Sequence, residues 1–355
     1  MNRSLVISLV VMAAAVAAAS AAAARQAASA KPVLLTTKGA IERVAMDGRR
    51  IAFDVEARGA GCNTVHVLDT QTKDDTVVSG AGTCIADSTS TGAGVRELAV
   101  AGRRISWITN IGGNTESNDT LFTAIAGVTK EKQLATARRT GEVDGQLNGS
   151  WLGNLAGDGD LTAVNRWTTS GGSVASATVR RVGSGLTAVH AGADSLRVVA
   201  VDSGRFAVLD GGGVLTVYRA NGAKLSSFTP TGTPKEVAMR KDFVVVLTPG
   251  ALEIHGTLDG TLLDTVPVAP GARDLDVHAN IAVYAAANTI RAIRLSTKKA
   301  IVVATTPKKP VSLALDDAGL VYAYNPVTGV LGVGKLTFLP LSLLQAKLAV
   351  AQQAT

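Results

Sequence analysis

Short apolar strands recur at a fixed spacing in the C-terminal half of the chain. Val199, Val237, Leu275 and Leu313 each open such a strand, and successive members of this ladder are 38 residues apart. Each strand passes through a tight turn into a second apolar strand. A repeat of about 40 residues with four short strands is typical of one blade of a β-propeller. The hydrophobic pattern therefore predicts an all-β fold made of four-stranded antiparallel blades.

The N-terminal half follows the same pattern with longer connections. Val44, Leu98 and Leu155 hold the equivalent ladder positions, so that the spacings along the whole series are 54, 57, 44, 38, 38 and 38 residues. The first of these hairpins crosses Asp47-Gly48, a strong hairpin turn signal. Seven ladder positions predict a seven-bladed β-propeller over residues 31–339.

A lone strand at residues 33–37 precedes the first repeat, whereas the seventh repeat has no obvious fourth strand. We expect this N-terminal strand to close the ring by joining the last blade, because an open blade would expose an unpaired edge. The alternative is that the last blade supplies its own edge near Leu339. Residues 340–355 carry leucines at helical spacing, which fits either a loose tail or a short capping helix.

The first 30 residues have the pattern of a signal peptide. Arg3 precedes an apolar run over residues 5–24, and small residues follow, so cleavage is expected after Ala24 or Ala30. The alternative is a retained transmembrane anchor, since the run is nearly long enough to span a bilayer. Cleavage predicts a mature protein that is secreted or held in the cell envelope, outside the cytoplasmic membrane and without a membrane span.

Charge and aromatic content argue against nucleic acid as a partner. The formal net charge is +7 and falls to about +5 or +6 once the leader is removed. Only 4% of the residues are aromatic, whereas binding of single strands by stacking needs aromatic side chains among the basic ones. The chain has only three tryptophans, and Trp107 is expected to be a core residue of its blade. A cofactor stacked on a tryptophan is therefore unfavourable, and no cofactor is expected.

No local motif for catalysis or metal binding is present. The chain contains no G-x-S-x-G, H-E-x-x-H or P-loop sequence, and the four histidines lie in different repeats at no ligand spacing. Asp47, Asp202 and Asp316 recur at equivalent hairpins, where turn chemistry explains them. Residues 157–160, Gly-Asp-Gly-Asp, are interpreted as a hairpin turn, not a calcium loop. We therefore predict no catalytic residue and no metal site.

The two cysteines are predicted to form a disulfide. In the predicted strand order, Cys62 lies between the second and third strands of the first blade, and Cys84 follows its fourth strand. Such loops share one face of a propeller. An exported protein meets an oxidising environment, which favours a Cys62–Cys84 bond over two free thiols.

The run RRIAFDVEARGAGCNTVHVLDTQT, residues 49–72, resembles the repeat of TolB-like and WD40-like propellers of exported bacterial proteins. In that repeat, a strand of the RIAF type leads through a variable loop to a V-x-V-x-D-x-x-T strand and turn. The resemblance implies a propeller and, by analogy, a role in protein contact. It implies no catalytic residues.

The longest insertions lie in the first two repeats, and insertions in repeat proteins usually form recognition loops. The residues expected to bind a partner on these loops are Glu56, Arg58, Asn114, Glu116 and Asp119. A competing surface is a basic rim at the first-hairpin turns of several repeats, formed by Arg49, Arg50, Arg103, Arg104, Arg205, Arg240 and Lys241.

The sequence as a whole favours a secreted, non-enzymatic binding or scaffolding protein that is monomeric. Its partner would be an unknown protein or a cell-surface polymer. The alternative is an extracytoplasmic hydrolase or lyase, because propeller active sites draw single residues from several loops and leave no local motif. Two carboxylates, or a histidine beside a carboxylate, at the channel mouth would favour the enzyme.

Overall fold

The computed structural model describes residues 32–56, 63–79, 92–113, 116–128, 131–141, 147–171, 173–192, 195–328 and 332–353. These residues form 28 strands, β1 to β28, and a C-terminal helix, α1. The leader falls outside the described residues, so cleavage stays a prediction. The all-β fold class is confirmed.

Five sheets have four strands each. One contains β2 (Val44–Asp47), β3 (Arg50–Val55), β4 (Thr64–Asp69) and β5 (Asp75–Val77). The next contains β14 (Arg197–Asp202), β15 (Arg205–Leu209), β16 (Leu215–Arg219) and β17 (Lys224–Phe228). A third contains β18 (Glu236–Met239), β19 (Phe243–Thr248), β20 (Ala251–Gly256) and β21 (Leu262–Pro267). A fourth contains β22 (Arg273–His278), β23 (Ile281–Ala286), β24 (Thr289–Arg294) and β25 (Lys299–Thr305).

The fifth four-stranded sheet joins the two ends of the chain. It contains β26 (Pro310–Asp316), β27 (Gly319–Val327), β28 (Val333–Pro340) and the N-terminal strand β1 (Val33–Thr36). β1 pairs with β28 in antiparallel register, with Val33 opposite Phe338 and Thr36 opposite Lys335. The last sheet therefore takes its outer strand from the start of the chain.

The remaining strands form one sheet of eight. Its strands are β6 (Gly92–Ala101), β7 (Arg104–Gly112), β8 (Glu116–Ile125), β9 (Lys132–Gly141), β10 (Leu147–Asp158), β11 (Leu161–Ser170), β12 (Ser173–Val182) and β13 (Leu186–Gly192). The prediction of seven separate four-stranded blades is therefore corrected: five such sheets are present. The physical reason is that long strands β9 and β10 reach far enough to pair with each other, over residues 147–149 of β10.

The strands β2, β6, β10, β14, β18, β22 and β26 are called the inner strands here. Each contacts the next along the series, and β26 contacts β2, so the inner strands are arranged in a ring. They begin on one face, called the loop face, where β3 and β7 also end and β4 and β8 begin. They end on the opposite face, called the turn face, at the tight turns into the following strands.

Apolar side chains pack between neighbouring sheets. In the outer strand β1, half-buried residues alternate with exposed ones, so one side of this strand faces the protein, whereas β23 is buried along its whole length. Trp107, predicted to be a core residue, is 1% exposed and stacks on Phe122. The core is thus divided into layers between sheets, and these layers hold the ring together.

Residues Leu341–Gln353 form helix α1, so the helical alternative for the C-terminal segment is the observed one. Leu344 and Leu348 lie on its buried side and join the apolar cluster beneath β23 to β28. Within the described part of the chain, no helix is long and apolar enough to cross a membrane.

Candidate functional site

The ends of the inner strands bring acidic residues together on the turn face. Asp47 ends β2, Asp158 ends β10 and Asp316 ends β26. One carboxylate oxygen from each of these three residues lies within 4.8 Å of the others. Asp202, at the end of β14, is buried beside them. The space between the inner strands is called the channel here, and we call these four aspartates its acidic end.

Three of these four aspartates, Asp47, Asp158 and Asp316, accept hydrogen bonds from backbone amides of neighbouring repeats. Asp316 Oδ2 accepts a hydrogen bond from Gly48 N at 2.6 Å. Asp47 Oδ2 accepts from Gly102 N and Gly159 N, both at 2.6 Å, and Asp158 Oδ2 accepts from Ser203 N at 3.1 Å. The sequence interpretation of these aspartates as turn residues holds only in part, because each caps a turn of another repeat.

Arg240 supplies the positive charge inside this cluster. Its Nη1 lies 2.8 Å from Asp202 Oδ1, and 3.9 Å from one oxygen each of Asp158 and Asp316. The sequence placed Arg240 on a basic rim, whereas its guanidinium group turns into the channel. His278 Nδ1 lies 3.4 Å from Asp316 Oδ1, so a histidine also faces a carboxylate here.

The pKa values of these carboxyl groups are shifted in different directions. Burial raises the pKa of Asp158 to about 7, and it also raises the pKa values of Asp47 and Asp202. For Asp316, burial is outweighed by hydrogen bonds from the His278 side chain and the Gly48 amide, which leave its pKa lowered. The acidic end can therefore hold a proton on Asp158 next to an ionised Asp316.

Asp47, Asp158 and Asp316 are also the described residues best placed to hold a metal ion. Carboxylate oxygens are the ligands that hard divalent cations prefer. However, each of these groups already accepts a backbone hydrogen bond, and Arg240 lies where it balances part of their charge. The adjoining cavity measures about 150 Å³. The cluster is thus accounted for as a structural network.

The other arginines of the predicted basic rim are also engaged. Each contacts a partner in its own or the next repeat: Arg49 with Asp69, Arg50 with Gly102 O, Arg103 with Ala126 O, Arg104 with Gly183 O and Arg205 with Lys241 O. These contacts fasten neighbouring turns to one another, which leaves fewer free donors on the turn face for a partner.

The loop face holds two adjoining cavities of about 410 and 560 Å³. They are lined by the middle of β6, the second half of β10 and the first residues of β14 and β18, and we call them together the loop-face pocket. The residues that line both parts are Arg96, Glu97, Asn154, Arg197, Leu209 and Pro234. The space is large enough for a small organic molecule.

Two tryptophans form one wall of the larger cavity. Trp151 and Trp167 meet edge to face, with ring centres 5.2 Å apart. The guanidinium carbon of Arg139 lies 4.3 Å from the centre of the Trp151 ring, on which it makes a cation–π contact. Trp167 Nε1 donates to Leu196 O at 2.9 Å, which fixes the orientation of that ring.

Bulges in the inner strands explain how the pocket is shaped. In β10 and β22 the register shifts at Asn154 and Asp274, whose φ angles are 52° and 53°. Each bulge turns the next amide toward a glutamate of another inner strand. Leu155 N donates to Glu97 Oε2 and Leu275 N donates to Glu236 Oε2, both at 2.5 Å. The carboxylates of Glu97 and Glu236 are therefore already engaged.

Unlike these two carboxylates, two cations at the pocket mouth have no partner among the described residues. Arg197 and Lys235 are exposed, and neither side chain has a hydrogen bond or ion pair to any residue that the structure describes. Arg96 differs, because its guanidinium contacts Asp119 Oδ1 at 3.1 Å and also the Leu152 carbonyl. The mouth of the loop-face pocket thus has an excess of positive charge.

The predicted site residues fall into different environments. Glu116 begins β8 on the loop face, and its carboxylate pairs with Arg138 at 2.8 Å, while Glu56 follows β3 on the same face. Asp119 is 1% exposed inside the eight-stranded sheet, so it can reach a partner only through Arg96. The remaining predictions lie outside the described residues: Arg58, Asn114, Cys62 and Cys84.

The sequence interpretation did not include the pocket residues Trp151, Arg197 and Lys235. One signal was available, because Glu97 and Glu236 stand immediately before the ladder residues Leu98 and Val237. An acidic residue repeated at the start of inner strands marks that end of the channel as polar. Nothing local in the sequence places Trp151 beside Arg197.

No protein-family model matches the chain, and no curated protein matches it. Solved structures do. A chain of the mitotic checkpoint complex is similar over 87% of this chain and 94% of its own, at 12% identity with a TM-score of 0.53. Sqt1 of Saccharomyces cerevisiae is similar over 85% of this chain and 96% of its own, at 10% identity with a TM-score of 0.46. BamB of Moraxella catarrhalis is similar over 85% of this chain and 86% of its own, at 11% identity with a TM-score of 0.42. The likeness at these identities is one of fold alone, and at this level the resemblance to propeller repeat proteins is confirmed.

Proposed function

We propose that this protein is a secreted or envelope-held propeller that acts as a non-enzymatic binding or scaffolding module through its loop face. The observation that carries the proposal is the contrast between the faces. On the turn face, the acidic and basic side chains bind one another and neighbouring backbone groups. On the loop face, two cavities adjoin the exposed cations Arg197 and Lys235, which have no partner among the residues that the structure describes.

The finer architecture belongs to the same proposal. The eight-stranded sheet contains two sets of four strands that are linked by the short β9–β10 ladder. The closing contact of the propeller in this proposal is β1 on β28. The contact of β26 with β2 and of each other inner strand with the next supports this closure. Export, the cleaved leader and a monomeric state complete the proposal.

The test compares the two faces by site-specific photo-crosslinking. A photoreactive phenylalanine analogue replaces Glu116 or Lys235 on the loop face, and Lys241 or Asp317 on the turn face, all of which are exposed enough to accept it. The full chain is produced in its source cells, and the envelope and medium fractions are irradiated. We expect a discrete crosslinked species from the loop-face positions only. Crosslinking from Lys241 and Asp317 alone would show that the wrong face was chosen.

The enzyme alternative has one specific observation in its favour. A protonated Asp158 close to an ionised Asp316, with His278 nearby, is a pair of carboxyl groups whose pKa values are pushed apart. Such a pair suits general acid–base chemistry. This cluster lies on the turn face, however, and not at the loop-face mouth where the sequence expected an active site. Hydrolysis of a glycoside or polymer lost in Asp158→Asn and in Asp316→Asn, with folding retained, would favour the enzyme.

A further inference from the structure

The loop-face pocket combines an apolar wall with unpaired positive charge. Trp151, Trp167, Val174 and Leu209 line the larger cavity, whereas Arg197 belongs to both cavities. An aromatic wall binds apolar rings or branched chains by burial and by edge or face contacts. A guanidinium group without a partner favours a carboxylate, to which it can donate two parallel hydrogen bonds.

None of the described carboxylates that line the pocket forms an ion pair with Arg197 or Lys235. Glu97 accepts the Leu155 amide, and Asp210 Oδ1 accepts the amides of Gly212 and Val214, both at 2.9 Å. Arg96 is held by the buried Asp119. Because these carboxylates are held by other groups and not by the two cations, the Arg197 guanidinium and the neighbouring Lys235 ammonium keep free donors for a ligand. One or two cations suit a single carboxylate better than a polyphosphate, whose higher charge needs more donors.

The floor of the larger cavity depends on a glycine. A Cβ atom at Gly153 would lie 3.0 Å from Glu97 Oε1 and 3.1 Å from both Arg96 Nη2 and Trp167 Cζ3. The absence of a side chain at this position therefore keeps the space beside the tryptophans open. Substitution by alanine would narrow the pocket from its floor without changing any charge.

We propose that the loop-face pocket binds a small organic carboxylate that carries one apolar ring or branched chain. The ring lies against Trp151 and Trp167, and the carboxylate lies at Arg197 near the pocket mouth. The ligand is either a free carboxylic acid or the C-terminal residue of a peptide, which share this chemistry. The inference goes beyond the proposed function, because a partner can dock on the loops whether or not the pocket is filled.

The test uses indole resonances of the full mature chain, labelled with ¹⁵N at its tryptophans. Trp151 and Trp167 line the pocket, while the buried Trp107 lies outside it and serves as an internal control. Trp151→Phe identifies the Trp151 signal. The probes are phenylacetate, the neutral phenylacetamide of nearly the same shape, acetate, and N-acetylphenylalanine as a mimic of a peptide end.

Phenylacetate should shift the Trp151 and Trp167 signals saturably and leave that of Trp107 in place. Loss of the charge in phenylacetamide should weaken binding about tenfold, the effect of one charge-assisted hydrogen bond. Tighter binding of N-acetylphenylalanine than of phenylacetate would identify a peptide end as the ligand, and the reverse order would identify a free acid. Saturable shifts with acetate alone would overturn the role of the ring.

Matched variants separate the pocket from general charge effects. Arg197→Gln should weaken phenylacetate binding about tenfold, and Gly153→Ala should weaken it at unchanged charge. Arg219→Gln removes the same charge from an exposed residue of β16 on the turn-face side and should have no effect. The proposal is overturned if no probe gives a saturable shift, if phenylacetamide equals phenylacetate, or if Arg219→Gln acts like Arg197→Gln. None of these results bears on crosslinking of a partner to the loops.

Discussion

Asp316 Oδ2 accepts a hydrogen bond of 2.6 Å from the backbone N–H of Gly48, which lies 268 positions earlier in the chain. The bond connects the last inner strand to the first hairpin turn. An ionised acceptor bound to a backbone donor in a partly buried setting is among the stronger hydrogen bonds in proteins. The turn face is therefore held by contacts between repeats, and several of its side chains can be tested for this role.

Asp47 is the first test, because one of its oxygens accepts two amides. Asp47→Ala leaves Gly102 N and Gly159 N without their acceptor and should lower the free energy of unfolding by about 2 kcal/mol. Asp47→Asn keeps a side-chain oxygen in place, so it should lose much less. Urea unfolding followed by circular dichroism measures both.

Asp160 supplies the control for Asp47. It is an exposed residue of the β10–β11 turn, and Asp160→Ala should leave the unfolding midpoint unchanged. Equal losses in Asp47→Ala, Asp47→Asn and Asp160→Ala would show that the amide contacts of Asp47 contribute nothing specific.

The stability of the protein should fall as the pH rises from about 5 to about 8. Burial raises the pKa of Asp158 to about 7 and those of Asp54, Asp274 and Asp276 to about 6, above the ordinary 3.8. Between 3.8 and these values the folded state holds protons that the unfolded state has released, so acidification favours folding. Thermal melts across this pH range should show the highest midpoint on the acidic side; a midpoint that rises toward pH 8 would contradict the raised pKa values.

Asp158→Asn should remove part of this pH dependence. The amide has no charge to bury, and its oxygen can still accept the bond from Ser203 N. We expect the variant to be more stable than the original chain at about pH 8, by on the order of 1 kcal/mol after solvent screening, and no more stable at about pH 5. Melting curves of the variant and the original chain at both pH values measure this difference. An equal change in stability at the two pH values would rule out titration of Asp158 as the cause.

Asp119 should matter for stability and only indirectly for binding. It is buried and accepts hydrogen bonds from Asn110 Nδ2 at 2.7 Å and Leu152 N at 3.0 Å, beside the Arg96 guanidinium. Asp119→Ala leaves these two donors without their acceptor and the half-buried Arg96 guanidinium without its acidic partner, so it should cost about 3 kcal/mol. Glu116→Ala, at a side chain that is 40% exposed, should cost little. Similar unfolding midpoints for the two variants would contradict this assignment.

The contribution of β1 can be measured by comparing its two sides. Leu35 packs against the cluster between the last and first sheets, whereas Leu34, one residue earlier, is 75% exposed. Leu35→Asp should lower the free energy of unfolding by about 2 kcal/mol, and Leu34→Asp should change it little. If both variants have the same unfolding midpoint as the original chain, the pairing of β1 with β28 does not stabilise the fold.

The predicted disulfide is open to a direct measurement. Intact mass of the exported protein, with and without reductant before alkylation, reports the state of Cys62 and Cys84. We expect no alkylation until reductant is added, because an exported chain with two cysteines on one face should be oxidised. Alkylation of both thiols in the native, unreduced protein would end the prediction.

The repeat could be predicted from the sequence because equivalent strands of each repeat are buried in the same way. Ladder residues such as Val237 and Leu313 are buried at equivalent places, so selection for apolar side chains leaves a regular spacing. The β9–β10 ladder was not readable, since pairing between neighbouring sets of strands depends on how far two long strands extend. Gly149 allows that close approach, at a φ of 129°, but an isolated glycine in a strand has several explanations.

The candidate site was harder to predict, because it arises from side chains that are distant in sequence. Asp47, Asp158 and Asp316 each look like an ordinary turn residue, and only the ring of inner strands brings them within 4.8 Å. Trp151 and Arg197 come from different sheets and share no motif. The sequence did contain a reason to expect binding on the loop face, because the insertions of the first two repeats lie between strands that meet at that face, and this expectation stays a prediction.

The ladder of residues 139–141 on 147–149 also bears on how the chain unfolds. In a repeat array, each sheet normally opens with a free energy set by itself and its neighbours. The eight strands from β6 to β13 instead share continuous backbone hydrogen bonds, so they should open together as one cooperative unit. Amide hydrogen exchange should then show one cooperative unit of eight strands and smaller units of four strands. The amides that exchange most slowly would identify the unit that opens last.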